Sequence, residues 1–293
     1  MNDPSFWHRN ARSGAPEVQD QAHFTGSVDP MAADPQGLVA IGRAVIVAAM
    51  SHLRRSFESR PAARAKSRGD YVTAMDLAIE DLIAAEVLRA RPYDAVVGEE
   101  GTSREGITGI EWIIDPIDGT LQFLRAEAGF VISLAARRGQ QVLAAVVGDP
   151  VSGAVFWSAH GIGSYRDGLR LHGPAPADPS DAIVSTGFAS SPLARKQQAE
   201  IVGRLSEFTR HVRVFGSAGY EMCRLAAGSV DAYVETSLAL WDALPGAAIA
   251  AQAGCQVEIL EQPDRGYTVI AAPPDLYRPL RSIVLPLVTA AAP

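Results

Sequence analysis

The chain has 293 residues, of which 47% are hydrophobic and 20% charged. That composition is globular, excludes a disordered, collagen-like or disulfide-scaffold protein, and leaves room for one large domain or two ordinary ones. With 26 basic against 33 acidic residues the formal net charge is -7, opposite to the basic footprint of a general nucleic-acid binder, so an anionic substrate would need positive charge from another source.

Residues 1–34 are rich in Pro, Gly, Ser, Asp and Gln without a hydrophobic period and are expected to form a flexible N-terminal extension. They lack the apolar centre of a secretory signal. The apolar run over 38–50 is short for a membrane span and is broken by Arg43. Two cysteines, Cys223 and Cys255, make no disulfide framework. These features predict a cytoplasmic protein with neither a membrane nor a nucleic-acid partner.

Asp34 as N-cap and Pro35 at the first helical position open a helix to about residue 57, with Leu38, Ile41, Val45 and Ala48 on one face. Residues 59–70 are basic and turn-rich. A second helix follows over about 73–89, with Ile79, Ile83 and Val87 on one face. Short apolar runs at 95–97 and 112–114 each end in acidic residues. Segments 130–137, 142–147, 154–158 and 163–171 then read as antiparallel strands, with Asp149-Pro150 and Asp167-Gly168 as turn signals. Gly161-Ile162-Gly163 lacks the following helix that a dinucleotide site needs. After a joint at 172–181, strands at 182–186, 212–215, 231–236, 256–260 and 267–271 accompany helices at 195–208, 218–227, 243–253 and 275–284. The expected fold class is therefore α+β followed by α/β, with one half over 35–178 and the other over 179–293.

Four acidic segments fall at element ends, where sites are built on α/β scaffolds. In Trp112 to Thr120, W-I-I-D-P-I-D-G-T, Pro116 keeps Asp115 out of the α region. A turn there can bring Asp115 and Asp118 together, and Gly119 permits close approach of the backbone to a ligand. A helical turn starting at Gly119-Thr120 would offer free amides to an anion. Gly98-Glu99-Glu100 places two like charges side by side, which repel unless a cation intervenes. Asp242 sits at a loop-to-helix junction, and Thr73 with Asp76 has capping-box spacing. Taken singly, each also suits a plain role as solvated turn, loop or helix cap. Taken together, all-oxygen donors without His or Cys suit Mg²⁺. No G-x-S-x-G elbow and no P-loop is present.

Lys66 to Asp76 (K-S-R-G-D-Y-V-T-A-M-D), Gly98-Glu99-Glu100, Trp112 to Thr120, Gly216-Ser217-Ala218, Glu235 and Trp241-Asp242, in this order and spacing, resemble the inositol monophosphatase family. That family belongs to the Mg²⁺-dependent, lithium-sensitive phosphatases that also include fructose bisphosphatases. The resemblance runs over about residues 36–285. It implies a layered αβαβα sandwich, a homodimer and a phosphoric monoester hydrolase holding two or three Mg²⁺ ions. It assigns the first ion to Glu99, Asp115 and the carbonyl of Ile117, the second to Asp115, Asp118 and Asp242, and a third to Glu99 and Asp76. Thr120, hydrogen-bonded toward Asp76, would help deprotonate the attacking water. The amides of Gly119 and Thr120 would bind phosphate, Gly216, Ser217, Ala218 and Glu235 would face the alcohol, and Lys66 would sit on a loop near the site.

Two departures lie near the pocket. Gln122 stands where the family commonly has Asn, and Ala243-Leu244-Pro245-Gly246 replaces a small-residue run, with Pro245 expected in a helix's first turn without breaking it. The resulting expectation is a phosphomonoesterase acting on a small phosphorylated polyol or sugar, inositol monophosphate foremost because Glu235 is present. The alternatives are histidinol phosphate, a nucleotide 3′-phosphate, fructose bisphosphate or a pathway-specific cyclitol phosphate, and, from another class, a regulatory binding protein that retains the fold.

Overall fold

A computed structural model describes residues 33–57, 63–67, 70–175, 178–263 and 265–289. The expected N-terminal extension lies outside them apart from its last two residues. Helix α1 (Pro35–Phe57) begins as its sequence predicts, with the Asp34 carboxylate accepting the amides of Gln36 and Gly37 at 3.3 and 2.9 Å. Its buried stripe is Leu38, Val39, Val45, Ile46, Ala49, Met50 and Leu53. Ala48, expected on that face, points outward because the stripe advances through Ile46, Ala49 and Leu53. The basic segment expected as a loop carries an antiparallel hairpin, β1 (Ala63–Ser67) and β2 (Asp70–Thr73). Helix α2 (Ala74–Ala90) follows, with Thr73 as its N-cap.

The first large sheet contains β3 (Ala95–Gly98), β4 (Ser103–Arg104) and β5 (Ile110–Asp118). After the short helix α3 (Thr120–Arg125) it continues through β6 (Val131–Arg138), β7 (Gln141–Gly148), β8 (Val155–Ala159), β9 (Gly163–Arg166) and β10 (Leu169–Leu171). The strand order is β10-β9-β8-β7-β6-β5-β3-β4. The expected antiparallel strands are β6 to β10, with the segment expected as one strand over 163–171 divided by its Asp167-Gly168 turn into β9 and β10; β5 joins them antiparallel at β6, whereas β3 and β5 run parallel. That parallel pair brings two acidic strand ends to the same edge.

The second sheet is built from β11 (Ile183–Ser185), α4 (Pro192–Phe208), β12 (His211–Arg213), α5 (Ala218–Ala226), β13 (Ala232–Leu238), α6 (Leu240–Gln252), β14 (Gln256–Gln262), β15 (Gly266–Ala272) and α7 (Pro274–Thr289). Its order is β12-β11-β13-β15-β14, with β11 parallel to β12 and β13, and β15 antiparallel to β13 and β14.

Strand alternation divides the core. On β6, Ile132, Leu134 and Ala136 pack with Trp112 and Ile114 against Ile46 and Leu53 of α1 and Ile79 and Ile83 of α2. Val131 and Ala135 face the other way, onto Cys223 and Ala226 of α5 and Ile249 of α6. In the second sheet Tyr233, Val269 and Ala271 meet Met222, Ala243 and Ala250 of the same helix pair. Val234, Ile270 and Ala272 meet Ile201 and Leu205 of α4 and Leu280 and Val284 of α7. The layers are thus α1/α2, the eight-stranded sheet, α5/α6, the five-stranded sheet and α4/α7, which is the expected αβαβα sandwich. Each fully buried Leu or Ile contributes about 1.5–3 kcal/mol.

By length and composition alone, 35–55 within α1 could cross a membrane, contrary to the expectation drawn from its interruption at Arg43. Its apolar stripe is docked on the first sheet, so it serves as a core helix. α6 is continuous as expected, but Pro245 is its sixth residue rather than part of its first turn. Gly246 lets α6 approach α5, since a β-carbon there would lie 2.8 Å from Met222.

Candidate active site

Strand β5 extends past Ile114, where the apolar run ends, through Asp118, and its pairing with β6 shifts between Asp115 and Asp118. An irregularity of this kind re-aims side chains at a strand end. The kink is held locally, because Asp115 Oδ1 accepts the amide of Ile117 at 3.0 Å. Further back on the strand, the Trp112 indole N–H donates to Asp94 at 2.9 Å, and Asp94 is paired with Arg91 in a fully buried ion pair. The strand end is therefore anchored before the acidic residues begin.

Asp242 comes from the first turn of α6, where its carboxylate accepts the amide of Ala239 at 2.8 Å. It sits three residues inside the helix start, with Ala239 in the cap position. One carboxylate oxygen from each of Asp115, Asp118 and Asp242 lies within 4.8 Å of the others. Asp115 Oδ2 is buried and receives no hydrogen bond. Burial, then Glu99, Asp118 and Asp242, push the Asp115 carboxyl well above the usual carboxylate range. Burial also raises Asp118, to about 6, while hydrogen bonds from the Gly219 amide, the Ser217 hydroxyl and the Ala218 amide oppose the rise. The Gly219 bond is 2.6 Å long. Carboxylates crowded out of water in this way are costly without a cation, and a buried oxygen without a donor is a ready ligand. The donor set fits a hard divalent ion.

Glu99 follows β3 and donates its amide to Ile114 of β5 at 3.2 Å, so the parallel pair sets it beside Asp115. Its turn is fixed from behind by Glu80 of α2, whose two carboxylate oxygens accept the amides of Glu100 and Thr102 at 2.8 Å each. A β-carbon at Gly98 would collide with that carboxyl group. Sequence reasoning missed Glu80. The available signal was an acid one turn after Asp76 on a helix face otherwise lined by Ile79, Ile83 and Val87.

Asp76 closes a capping box with Thr73, accepting the Thr73 amide at 2.8 Å and its hydroxyl on the same oxygen, Oδ2. Among the hydrogen bonds of the described residues, the expected Thr120–Asp76 bond does not occur. The Thr120 hydroxyl donates instead to the carbonyl of Ile117 at 3.2 Å, closing the turn into α3. Gly119, the N-cap of α3, has φ 99°, and a β-carbon there would lie 3.1 Å from Phe130 and 3.2 Å from Ser217. Only glycine suits that conformation and approach.

Ser217 caps α5 by accepting the Tyr220 amide at 3.2 Å, and Gly216 precedes it with φ 86°. Gln122 of α3 donates from Nε2 to the carbonyl of Phe215, linking α3 to this segment. Glu235 is half-buried on β13 and accepts the Tyr233 hydroxyl at 2.7 Å. Strand β13 also shifts register, between Glu235 and Leu238, with Ser237 at φ 62°. Behind the segment, buried Glu221 accepts the amides of Phe215 and Gly216 at 2.9 Å each and the hydroxyl of Ser185. Burial raises its carboxyl to about 8. Sequence reasoning missed Glu221 too. Lys66 falls on β1, and its side chain is outside the described residues.

The structure thus gathers Glu99, Asp115, Asp118 and Asp242, sets α3 and the start of α5 beside them, and turns Asp76 Oδ2 toward its own helix cap. A five-layer sandwich with an acidic, all-oxygen centre where β5, α5 and α6 meet is that of a phosphoric monoester hydrolase. The family model for inositol monophosphatases matches residues 34–278, and the chain belongs to that family, whose members are metal-dependent. It is 35% identical over 239 residues to the inositol-1-monophosphatase SuhB of Mycobacterium tuberculosis, covering 76% of this chain and 81% of that protein. It is 33% identical over 209 residues to the Nus factor SuhB of Escherichia coli, covering 69% of this chain and 77% of that one. The solved structure of Mycobacterium tuberculosis SuhB superposes with a TM-score of 0.76 at 29% identity, over 87% of this chain and 98% of that one.

Proposed function

We propose that this protein is a Mg²⁺-dependent phosphomonoesterase of small polyol or sugar phosphates, with inositol monophosphate as its foremost substrate. The observation that carries this reading is the buried, undonated Oδ2 of Asp115 within the Asp115, Asp118 and Asp242 cluster. In this reading Glu99, Asp115 and the Ile117 carbonyl hold one ion, Asp115, Asp118 and Asp242 a second, and Glu99 and Asp76 a third. Bound Mg²⁺ would supply charge neutralisation for the phosphate and acidify a water. The amides of Gly119 and Thr120 receive a phosphate oxygen at the start of α3, favoured by the partial positive charge of a helix N-terminus. Thr120 and Asp76 orient the attacking water, and the Asp76 carboxylate takes up its proton. Gly216, Ser217, Ala218 and Glu235 receive the hydroxyls of the alcohol, and Lys66 is a further substrate contact in this reading. Cys223 and Cys255 are both buried and unbridged, which supports a reducing, cytoplasmic setting.

A phosphate-release screen over about twenty phosphorylated alcohols, with Mg²⁺, with chelator and then with added Li⁺, tests the reading. Release that needs Mg²⁺, favours polyol monophosphates and falls with Li⁺ supports it. A second reading, a regulatory binding protein on the same fold, draws support from the likeness to a relative named as a Nus factor. The cluster of carboxylates favours hydrolysis, because such crowding without a catalytic ion is a standing cost. Release of no phosphate from any compound would favour the regulatory reading.

A further inference from the structure

We propose that Glu221 is a positioning residue for the alcohol side of the site, fixing the backbone at 215–216 so that the segment from Gly216 to Ala218 presents one shape to the substrate. This deepens the phosphatase reading and rests on it. Glu221 is fully buried, one turn inside α5. Its Oε1 takes the amides of Phe215 and Gly216, both at 2.9 Å. Those amides precede the Ser217 cap, so the helix cannot satisfy them. Gly216 holds φ 86° there, a reversal that its own backbone does not stabilise. Glu221 Oε2 takes the hydroxyl of Ser185, at the end of β11. A single carboxyl group therefore ties a strand end, a tight reversal and a helix together.

The front of the same segment faces the chemistry. The Phe215 carbonyl receives Gln122 from α3, and the Ser217 hydroxyl with the Ala218 and Gly219 amides converges on Asp118. Glu235 lies close enough that Glu221 is the foremost charge acting on it. Glu221 therefore backs the segment that is to recognise the alcohol while touching neither the acidic cluster nor the α3 amides. The donors to Asp118 belong to α5 and its cap, so they are held without Glu221. The expected consequence of loosening 215–216 is weaker and less selective binding of the alcohol, with the chemical step largely preserved.

The test compares wild type, Glu221→Ala, Glu221→Gln and Glu221→Asp by KM and kcat with Mg²⁺ on several polyol phosphates, and by thermal melting. Glu221→Ala leaves the amides of Phe215 and Gly216 without their carboxylate acceptor, so KM should rise about tenfold with kcat within about threefold, and preference among the polyol phosphates should flatten. Glu221→Gln keeps an oxygen for both amides and a donor toward Ser185, and should return KM to within about threefold of wild type. If Glu221→Ala does not fold, Glu221→Asp carries the test, since its shorter arm cannot reach both amides and should give the same KM shift. Unchanged KM in the folded Ala or Asp variant of an active enzyme overturns the inference alone, as does a loss confined to kcat. A wild type that releases no phosphate overturns the phosphatase reading, and the inference falls with it.

Discussion

Asp118 Oδ2 receives the amide of Gly219 at 2.6 Å, across 101 positions of sequence. The contact ties the end of β5, in the first sheet, to the first turn of the helix that leads into the second. It also has an electrostatic consequence. The amides at the start of α5 carry partial positive charge and oppose the rise that burial imposes on the Asp118 carboxyl, which is pushed up to about 6, whereas Asp115 accepts only the Ile117 amide and is pushed well above the usual range.

Asp115 is the member of the cluster whose Oδ2 is buried without a donor. Asp115→Asn removes a charge from a residue proposed to bridge two ions, so phosphate release should fall about tenfold to a hundredfold or more and Mg²⁺ affinity should drop with it. In chelator, the same variant should melt no lower than wild type, because it relieves repulsion with Glu99, Asp118 and Asp242. Calorimetric Mg²⁺ titration together with thermal melting checks both halves. Near-wild-type activity at modest Mg²⁺ would remove Asp115 from the ligand set.

The elements were legible where their signals are local. Asp34-Pro35 announces α1, the Thr73–Asp76 spacing announces α2, and alternation after residue 182 announces the second sheet. β1 was not legible, because Ala63–Ser67 is a basic, small-residue stretch without an apolar alternation. The extension of β5 was hidden by Asp115, Pro116 and Asp118, residue types that strands disfavour, and pairing with β6 overrides that preference. Glu80 and Glu221 looked like ordinary helix acids. Their role appears only when amides from Glu100 and Thr102, or from Phe215 and Gly216, arrive from other elements. The acidic cluster could be read from spacing and resemblance, but whether Thr120 turns to Asp76 or to Ile117 depends on a side-chain torsion that no pattern encodes.

The Thr120 hydroxyl closes the α3 turn onto the Ile117 carbonyl, and orienting the attacking water is the second role proposed for it. If it orients the attacking water, Thr120→Ser should keep most activity and Thr120→Ala should lower kcat by about a hundredfold. Loss of its bond to the Ile117 carbonyl should lower stability by only about 1 kcal/mol. A kcat for Thr120→Ala within about fivefold of wild type would mean that the hydroxyl merely closes the α3 turn.

Gly98 tests the support behind Glu99. A methyl group at Gly98→Ala meets the Glu80 carboxyl, which must then release the amides of Glu100 and Thr102. The variant should lose about 1–3 kcal/mol of stability and bind Mg²⁺ more weakly. Chemical denaturation and Mg²⁺ titration read the two effects. An unchanged Mg²⁺ affinity would show that the Glu99 turn does not need Glu80.

Buried acids give the metal-free protein a distinct pH response. The Glu221 carboxyl lies near 8 in the folded chain against an ordinary 4.5, so between those values the folded state holds a proton that the unfolded state lacks. Stability is then lost as pH rises through that window. Asp115, Asp118 and Glu235 are shifted upward too and act in the same direction. In chelator the Tm should therefore fall between about pH 5 and about pH 8, less steeply in Glu221→Gln, and Mg²⁺ should remove the part due to Asp115 and Asp118. A Tm in chelator that stays flat or rises over that range would contradict the burial of these groups as ionisable acids.

The central claim is that the acidic cluster is a catalytic metal site acting on a small phosphorylated polyol. The most direct measurement is inorganic phosphate released from inositol monophosphate by the purified 293-residue chain as Mg²⁺ is titrated from chelated to millimolar. No release is expected in chelator, and a saturable rise with Mg²⁺. Release that is indifferent to Mg²⁺, or none from this or any related polyol phosphate at saturating Mg²⁺, would contradict it.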